Sequence, residues 1–306
     1  MNLLVGATGF IGGHVVEYLF QQNEISKGTF RKGAHLKVMD LNGVQGIEAE
    51  LLDHHSLHEA MEGADTVYSM ASPMPGRDKD FVRVNVEGVS NLLEVAREAK
   101  VKAFVHLSTL DVYGSNLGRV SKESAARPGN EYQESKLQAD RLLFEFAERN
   151  ESPKVVVVRA AMAAGSRDSS FVVPLLKMIE SGSAVLPASG KMSFTHPKDV
   201  AQAMYRAATS PKAGRLYLVK SFDATPQEFA TSLASAVGKA ATVKREGLFS
   251  KAQFTDYTRE RLKSSTVLEA QDGWAELGYA PKYDLHSTCD EILQWYRKNP
   301  WATEQD

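Results

Sequence analysis

The sequence predicts an α/β fold built on an open parallel sheet. Three observations predict it. The chain begins with a strand, a glycine-rich turn and a helix in immediate succession. Short apolar runs then alternate with stretches of helical periodicity as far as residue 160. A tyrosine and a lysine stand four apart at the head of one of those helices.

The first element is Asn2-Leu-Leu-Val5, an apolar run long enough for a buried strand. Gly6-Ala-Thr8-Gly9-Phe10-Ile11-Gly12 follows, and His14 to Gln22 reads as a helix with Val15, Val16, Leu19 and Phe20 on one side. Strand, glycine turn and helix is the context of a dinucleotide-binding fingerprint. Gly6 permits the tight turn out of the strand. Gly9 lets a pyrophosphate approach the backbone, and Gly12 lets the helix pack close to the sheet. The helix N-terminus offers free N–H groups and a positive dipole end to phosphates. The spacing is GxxGxxG, and an ordinary strand–helix turn uses glycine in the same way.

A second strand over Ser26 to Phe30 delivers Arg31 and Lys32, nineteen and twenty residues beyond Gly12. A dinucleotide fold meets the adenosine ribose there. An acid would bond the 2′-OH of NAD, whereas a cation pairs with the 2′-phosphate of NADP. NADP(H) is therefore favoured. NAD(H) stays open if His35 to Met39 is the second strand and Asp40 the ribose acid, and the two cations also read as solvated surface charge. The favoured reading makes Leu36 to Leu41 a short helix.

Val44 to Leu52 reads as a third strand, Leu57 to Met61 as helix and Asp65 to Met70 as a fourth strand. Met70, Ala71 and Ser72 begin a loop at that strand's C-terminal end, the side where open parallel sheets bind ligands. Phe81 to Lys100 is a long helix, with Asn85 among its apolar positions. A buried Asn needs partners, and tying the helix to a loop would supply them. Val101 to Leu107 is a fifth strand closed by Ser108-Thr109, whose hydroxyls could meet a substrate oxygen or cap the loop. From Gln133 the chain is helical, and Tyr132 and Lys136 share one face. A nearby ammonium favours a phenolate, so the tyrosine could exchange a proton with a secondary alcohol or ketone near neutral pH.

Composition narrows the classes. The chain has 306 residues, 43% hydrophobic and 24% charged, with a net charge of −2 and one cysteine. A sizeable core is expected and nucleic acid is not an expected partner. Cys289 excludes an intrachain disulfide and suits a reducing compartment. No membrane span, secretory signal or metal cluster is read, and a cytoplasmic location is expected.

Taken together, the motifs resemble the extended short-chain dehydrogenase/reductase family, also called the NAD-dependent epimerase/dehydratase family. Gly6-Ala-Thr-Gly9-Phe-Ile-Gly12 is similar to its glycine motif. Glu50-Leu51-Leu-Asp53 is similar to its adenine-binding DLxD, and Asn85-Val-Glu-Gly88 to its NVxG helix. Ser108-Thr109-x-x-Val-Tyr-Gly114 resembles its SSxxVYG segment, and Tyr132-x-x-x-Lys136 its acid/base pair. Phe194-Thr-His196-Pro-Lys-Asp199-Val-Ala resembles FVHVxDVA. The resemblance implies a Rossmann-type doubly wound parallel sheet over residues 1–165, with 194–222 returning to it. A smaller C-terminal substrate-binding region would hold 166–193 and 223–306.

The resemblance also implies roles. Tyr132 would transfer a proton, Lys136 would lower its pKa and hold the nicotinamide ribose, and Thr109, with Ser108, would bind the substrate oxygen. Asn85 joins this candidate catalytic set. The implied activity is hydride transfer to or from a secondary alcohol or carbonyl compound. Alternatives are a nucleotide-sugar 4-epimerase with tightly bound NAD and an NADP(H)-sensing binding protein. A homodimer is expected. Two departures shape the substrate. Dehydratases of the family carry Thr-Asp-Glu before VYG, whereas this chain has Thr109-Leu110-Asp111. Met192 stands where many nucleotide-sugar enzymes place a diphosphate-binding arginine, with Lys191 adjacent. Met70, Met74, Pro75, Met162 and Phe171 are the expected lining of an apolar pocket instead.

Overall fold

The computed structural model describes residues 1–73, 80–187, 190–209, 215–247, 253–269 and 272–299. Met74 and Pro75, expected at the pocket wall, lie outside them. In chain order the strands are β1 (Asn2–Val5), β2 (Ser26–Phe30), β3 (Gln45–Glu48), β4 (Thr66–Ser69), β5 (Ala103–Thr109), β6 (Arg119–Val120), β7 (Lys154–Ala160), β8 (Met162–Ala163), β9 (Ser183–Leu186), β10 (Met192–Thr195), β11 (Arg215–Val219), β12 (Phe222–Ala224), β13 (Thr242–Arg245) and β14 (Val267–Leu268). The α-helices are α1 (Phe10–Gln21), α2 (Lys37–Leu41), α3 (His54–Met61), α4 (Gly88–Glu98), α5 (Glu131–Arg149), α6 (Val172–Glu180), α7 (Pro197–Ala208), α8 (Pro226–Val237), α9 (Asp256–Leu262), α10 (Asp272–Glu276) and α11 (Leu285–Lys298).

Seven strands form one sheet in the order β11-β7-β5-β4-β1-β2-β3, and every neighbouring pair is parallel. The centre of such a sheet is covered on both faces, so its strands are continuous β-branched runs, as Val155 to Val158 in β7 illustrate. One apolar core joins α1 and α7 to the sheet through Val15, Val16, Val200 and Met204. A second covers the other face through Leu92, Leu93 and Leu143. The chain therefore winds helices on both sides, and the strand order reverses between β1 and β4. That crevice, at the strands' C-terminal ends, is where such sheets take ligands.

A separate core forms around Phe171, Phe194 and Phe229 with α6, α8 and α11. Phe194 belongs here, because β10 pairs with β8 and β12 and stands outside the central sheet, while α7 and β11 lie on the sheet side. Asp199 links the two parts. Its buried carboxylate accepts from Ser221 Oγ at 2.6 Å, Lys282 N at 3.0 Å and Tyr283 N at 3.3 Å.

Local chemistry moves several expected boundaries. α1 starts at Phe10 rather than His14, because Gly9 has extended backbone and serves as N-cap. β3 stops at Glu48, since Asp53 accepts from His55 N and begins α3 early. The long helix from Phe81 contains a π-helical turn over Arg83–Glu87 that holds Asn85. α2 occupies the run in which Asp40 had been the alternative strand end, so β2 is Ser26–Phe30.

Candidate active site

The glycine turn is a close fit of backbone on backbone. Gly6 has φ +90°, and a Cβ there would meet Ala71 N at 2.7 Å. A Cβ on Gly12 would lie 2.0 Å from Gly6 O, which fixes how closely α1 packs on β1. Gly9 differs. It is exposed, and a Cβ there would touch Gly6 O at 3.3 Å and little else. The N-terminus of α1 carries no side-chain cap, so its first amides are available to an anion. These features fit a dinucleotide pyrophosphate. Thr8, Phe10 and Ile11 are half-buried around the turn.

The other cofactor candidates surround this turn. Arg31 and Lys32 stand exposed just past β2, on the crevice side of the sheet. Glu50 is exposed and its N–H donates to Ser56 Oγ at 3.2 Å. Leu51 is half-buried against Gly88, where a Cβ would meet Leu51 Cβ at 2.9 Å, so the glycine of Asn85-Val-Glu-Gly88 admits that leucine. Met70 and Ala71 are half-buried beside Gly6, and Ser72 leads into the site.

Thr109 closes β5. It is largely buried, and its Oγ1 accepts from Asp111 N at 3.1 Å, capping the turn Leu110–Tyr113. The Thr109 hydroxyl hydrogen remains free to reach a ligand oxygen. Ser108 faces the other way, as strand alternation requires. Its hydroxyl donates to Asp140 Oδ2 at 2.9 Å inside a buried cluster. There Arg159 Nε meets the same oxygen at 2.8 Å, and Arg159 Nη1 donates to Tyr113 OH at 2.9 Å. Ser108, expected beside Thr109 at the substrate oxygen, thus spends its hydroxyl hydrogen in this interior network.

Asn85 is also engaged within the fold. Its Oδ1 accepts from Ser72 Oγ and its Nδ2 donates to Ser135 Oγ, both at 2.9 Å. Ser135 in turn donates to the Tyr132 carbonyl at 2.8 Å. The π turn lets this amide join the loop after β4 to the head of α5, and so braces Tyr132.

Tyr132 lies at the head of α5, where Asn130 caps by accepting from Gln133 N. Its ring sits between Phe81 and Tyr257, with centroids 5.7 and 5.4 Å away. Burial pushes the phenol up to about 12, Asp111 adds to the rise, and Arg261 and a hydrogen bond with Ser72 oppose it. The expected lowering by Lys136 is not what this geometry gives. Lys136 Nζ donates to the Leu107 carbonyl at 2.7 Å and lies 3.0 Å from His106 Nε2. Burial brings its own pKa down to about 8, with Asp140 opposing.

Beside these groups is a crevice of about 30 Å³, lined among others by Asp111, Gln133, Met162, Met192, Ser193 and Arg261. Met162, expected as apolar lining, is in place, and Met192 lines the crevice beside it, whereas Met70 is not among the lining residues. Nor is Phe171, being fully buried in the second core. Sequence reasoning missed His106, Asp140 and the pair Tyr257 and Arg261. His106 was visible as a polar residue within an apolar strand run, and Asp140 as a charge four beyond Lys136 on the same helix face. Tyr257 and Arg261 carried no such signal.

Residues 2–219 match the NAD dependent epimerase/dehydratase family. The chain belongs to this family. It is accordingly an NAD(P)-dependent enzyme of the extended short-chain type. A dTDP-D-glucose 4,6-dehydratase of Mus musculus is 26% identical over 329 residues, 97% of this chain and 88% of that one. Cinnamoyl-CoA reductase 1 of Petunia hybrida is 28% identical over 239 residues, 70% of this chain and 71% of its own. The crystal structure of UDP-glucose 4-epimerase from Thermotoga maritima shares the fold, with a TM-score of 0.84 at 19% identity over 98% of this chain and 100% of that one. Among the described residues no group of three metal-ligating side chains could hold a metal ion, and no helix is long and apolar enough to cross a membrane.

Proposed function

We propose that this family member is an NADP(H)-dependent reductase that interconverts a carbonyl compound and a secondary alcohol, with Tyr132 as proton donor and Thr109 as the hydroxyl that binds the substrate oxygen. The observation that carries the reading is the placement of Tyr132. The Ser72–Asn85–Ser135 bridge fixes the head of α5 against the loop after β4, at the C-terminal ends of the strands where the glycine turn and Thr109 also lie, and burial holds the Tyr132 phenol protonated. A protonated phenol suits the reductive direction, where the developing alkoxide needs a proton.

The nicotinamide supplies hydride when bound. Gly6, Gly9, Gly12 and the first amides of α1 would hold its pyrophosphate. Arg31 and Lys32 would meet a 2′-phosphate. Lys136, with its ammonium already fixed by β5, would present its remaining donor to the nicotinamide ribose. Thr109 would orient the carbonyl oxygen toward Tyr132.

The substrate is read as uncharged and partly apolar. Among the described residues lining the crevice the cation is Arg261, and it is already paired with Asp111. A diphosphate would have to break that pair, which argues against a nucleotide-sugar epimerase. Leu110, buried in a satellite core, has no proton to give a dehydration. That the chain keeps both Tyr132 and Thr109 argues against a purely sensing role. The buried single cysteine, with its thiol pushed up to about 12 by burial, is consistent with a cytoplasmic protein, and a two-fold dimer is part of the same reading.

Oxidation of NADPH by a panel of apolar ketones and aldehydes tests the proposal. In Tyr132→Phe, turnover should fall by about 10²-fold or more while NADPH binding is kept. Turnover equal to wild type would remove Tyr132 from the chemistry.

A further inference from the structure

Two side chains of α9 meet the site from outside the first 219 residues, and the mechanism above leaves them unused. Tyr257 and Arg261 stand four apart, so they leave one face of the helix. Both bind one carboxylate, that of Asp111 in the turn after β5. Tyr257 OH donates to Asp111 Oδ2 at 2.8 Å. Arg261 Nε lies 3.1 Å from Oδ1 and 2.9 Å from Oδ2. Tyr257 then packs its ring nearly perpendicular to that of Tyr132, at 82°. Asp111 and Arg261 both line the crevice.

We propose that Asp111 is a positioning residue for the reaction: by binding Tyr257 and Arg261 it holds α9 against Tyr132 and sets a carboxylate–guanidinium pair beside the phenol. The inference rests on the reading of Tyr132 as proton donor.

The charged and titratable groups around Tyr132 come from every neighbouring element. The turn after β5 brings Asp111. α9 brings Arg261 and Tyr257. α5 brings Lys136 and Asp140, and β5 brings His106, which burial keeps neutral. The loop after β4 adds the Ser72 hydroxyl. Of these, Asp111 is the strongest charge against ionisation of the phenol, and Arg261 is the strongest charge in its favour. The two halves of one ion pair thus act on the phenol with opposite signs. A pair that only fastened α9 would leave the pH profile of the reaction where it is.

Asp111→Asn and Arg261→Gln test this with two readouts. The first is ultraviolet titration of the phenol, each variant compared with the same variant carrying Tyr132→Phe. The second is the pH profile of kcat/KM for NADPH oxidation with an apolar ketone. In Asp111→Asn the phenol should titrate about one pH unit lower or more, because a negative charge has gone and Arg261 remains. In Arg261→Gln it should titrate higher. The alkaline limb of kcat/KM should move in the same direction in each.

Unmoved titrations in both variants, with thermal unfolding showing folded proteins, would overturn the proposal, and so would shifts of the same sign. If Asp111→Asn does not fold, Arg261→Gln decides alone: an upward shift supports the role and no shift overturns it. Opposite titration shifts in a protein that reduces no carbonyl compound would overturn the functional reading, and the reaction role with it, while the electrostatic pairing stood.

Discussion

Lys136 Nζ lies 3.0 Å from His106 Nε2, and the two form a buried pair between α5 and β5. His106 accepts because burial keeps its ring neutral, and its Nδ1 then faces Ser69 Oγ at 3.1 Å. The lysine is therefore anchored to the sheet rather than spent on Tyr132. Desolvation still brings its pKa to about 8, against an ordinary 10.5.

That depression fixes a pH dependence of stability. Below about pH 8 the lysine is protonated in both folded and unfolded chains, and the fold carries the whole cost of the buried charge, about 3 kcal/mol. From about pH 8 to 10.5 the unfolded chain holds more protons, so this contribution to stability rises with pH. Lys136→Met has no charge to bury. Relative to wild type, its stability should be better at neutral pH than near pH 10, by up to about 3 kcal/mol on the same basis. Urea denaturation at the two pH values measures this, and a pH-independent difference would contradict an ionised, desolvated lysine.

The glycine turn separates folding from binding. Gly12→Ala forces a Cβ to within 2.0 Å of Gly6 O, so it should lower stability by about 1–3 kcal/mol, as overpacking does. Gly9→Ala meets only Gly6 O at 3.3 Å, in ordinary extended backbone. It should leave the thermal midpoint nearly unchanged and weaken NADPH binding by about tenfold or more, near 1.4 kcal/mol. Fluorescence titration of NADPH beside thermal unfolding distinguishes the two. Intact NADPH affinity in Gly9→Ala would remove the pyrophosphate from this turn.

What the sequence made legible was local. Ser26–Phe30 and Lys37–Leu41 were readable because strand and helix patterns span a few residues. The spacing of Gly6, Gly9 and Gly12 and that of Tyr132 and Lys136 need one turn and one helix. The illegible part was side-chain partnership across the fold. Ser108 looked like a ligand-facing hydroxyl until Asp140 and Arg159 were brought to its side of β5. Lys136 looked like the partner of Tyr132 until packing offered it His106. Asp111 meets Tyr257 and Arg261 only because α9, nearly 150 residues further along the chain, packs against the turn after β5. No periodicity records such pairings, since they depend on how the layers meet.

Ser108 and Thr109 are neighbours with different duties. Ser108→Ala removes a donor from Asp140, whose Oδ1 already has no hydrogen-bond partner. It should cost about 1–3 kcal/mol of stability and change kcat little. Thr109→Val should do the reverse: it gives up the cap on the Leu110–Tyr113 turn, about 1 kcal/mol, and lowers kcat/KM by about tenfold or more through the lost hydrogen bond to the substrate oxygen. Denaturation and NADPH-oxidation assays on both variants decide. Equal losses of kcat/KM in the two would mean that Ser108 turns toward the ligand after all.

The cofactor preference turns on two exposed side chains. Arg31 follows β2 directly and Lys32 begins the next turn, while Asp40 sits on α2 and ends no strand of the sheet. A cation pairing with a phosphate forms a charge-assisted hydrogen bond, about 1.5–3 kcal/mol. Arg31→Ala should therefore weaken NADPH by about 10- to 100-fold and leave NADH nearly untouched, with Lys32→Ala acting in the same direction more weakly. The loss should also shrink as salt is added, because both groups are solvent-exposed. Kd values for the two cofactors at low and moderate ionic strength provide the measurement. Equal weakening of NADPH and NADH would show that Arg31 serves the fold of the β2 turn and does not read the 2′-phosphate.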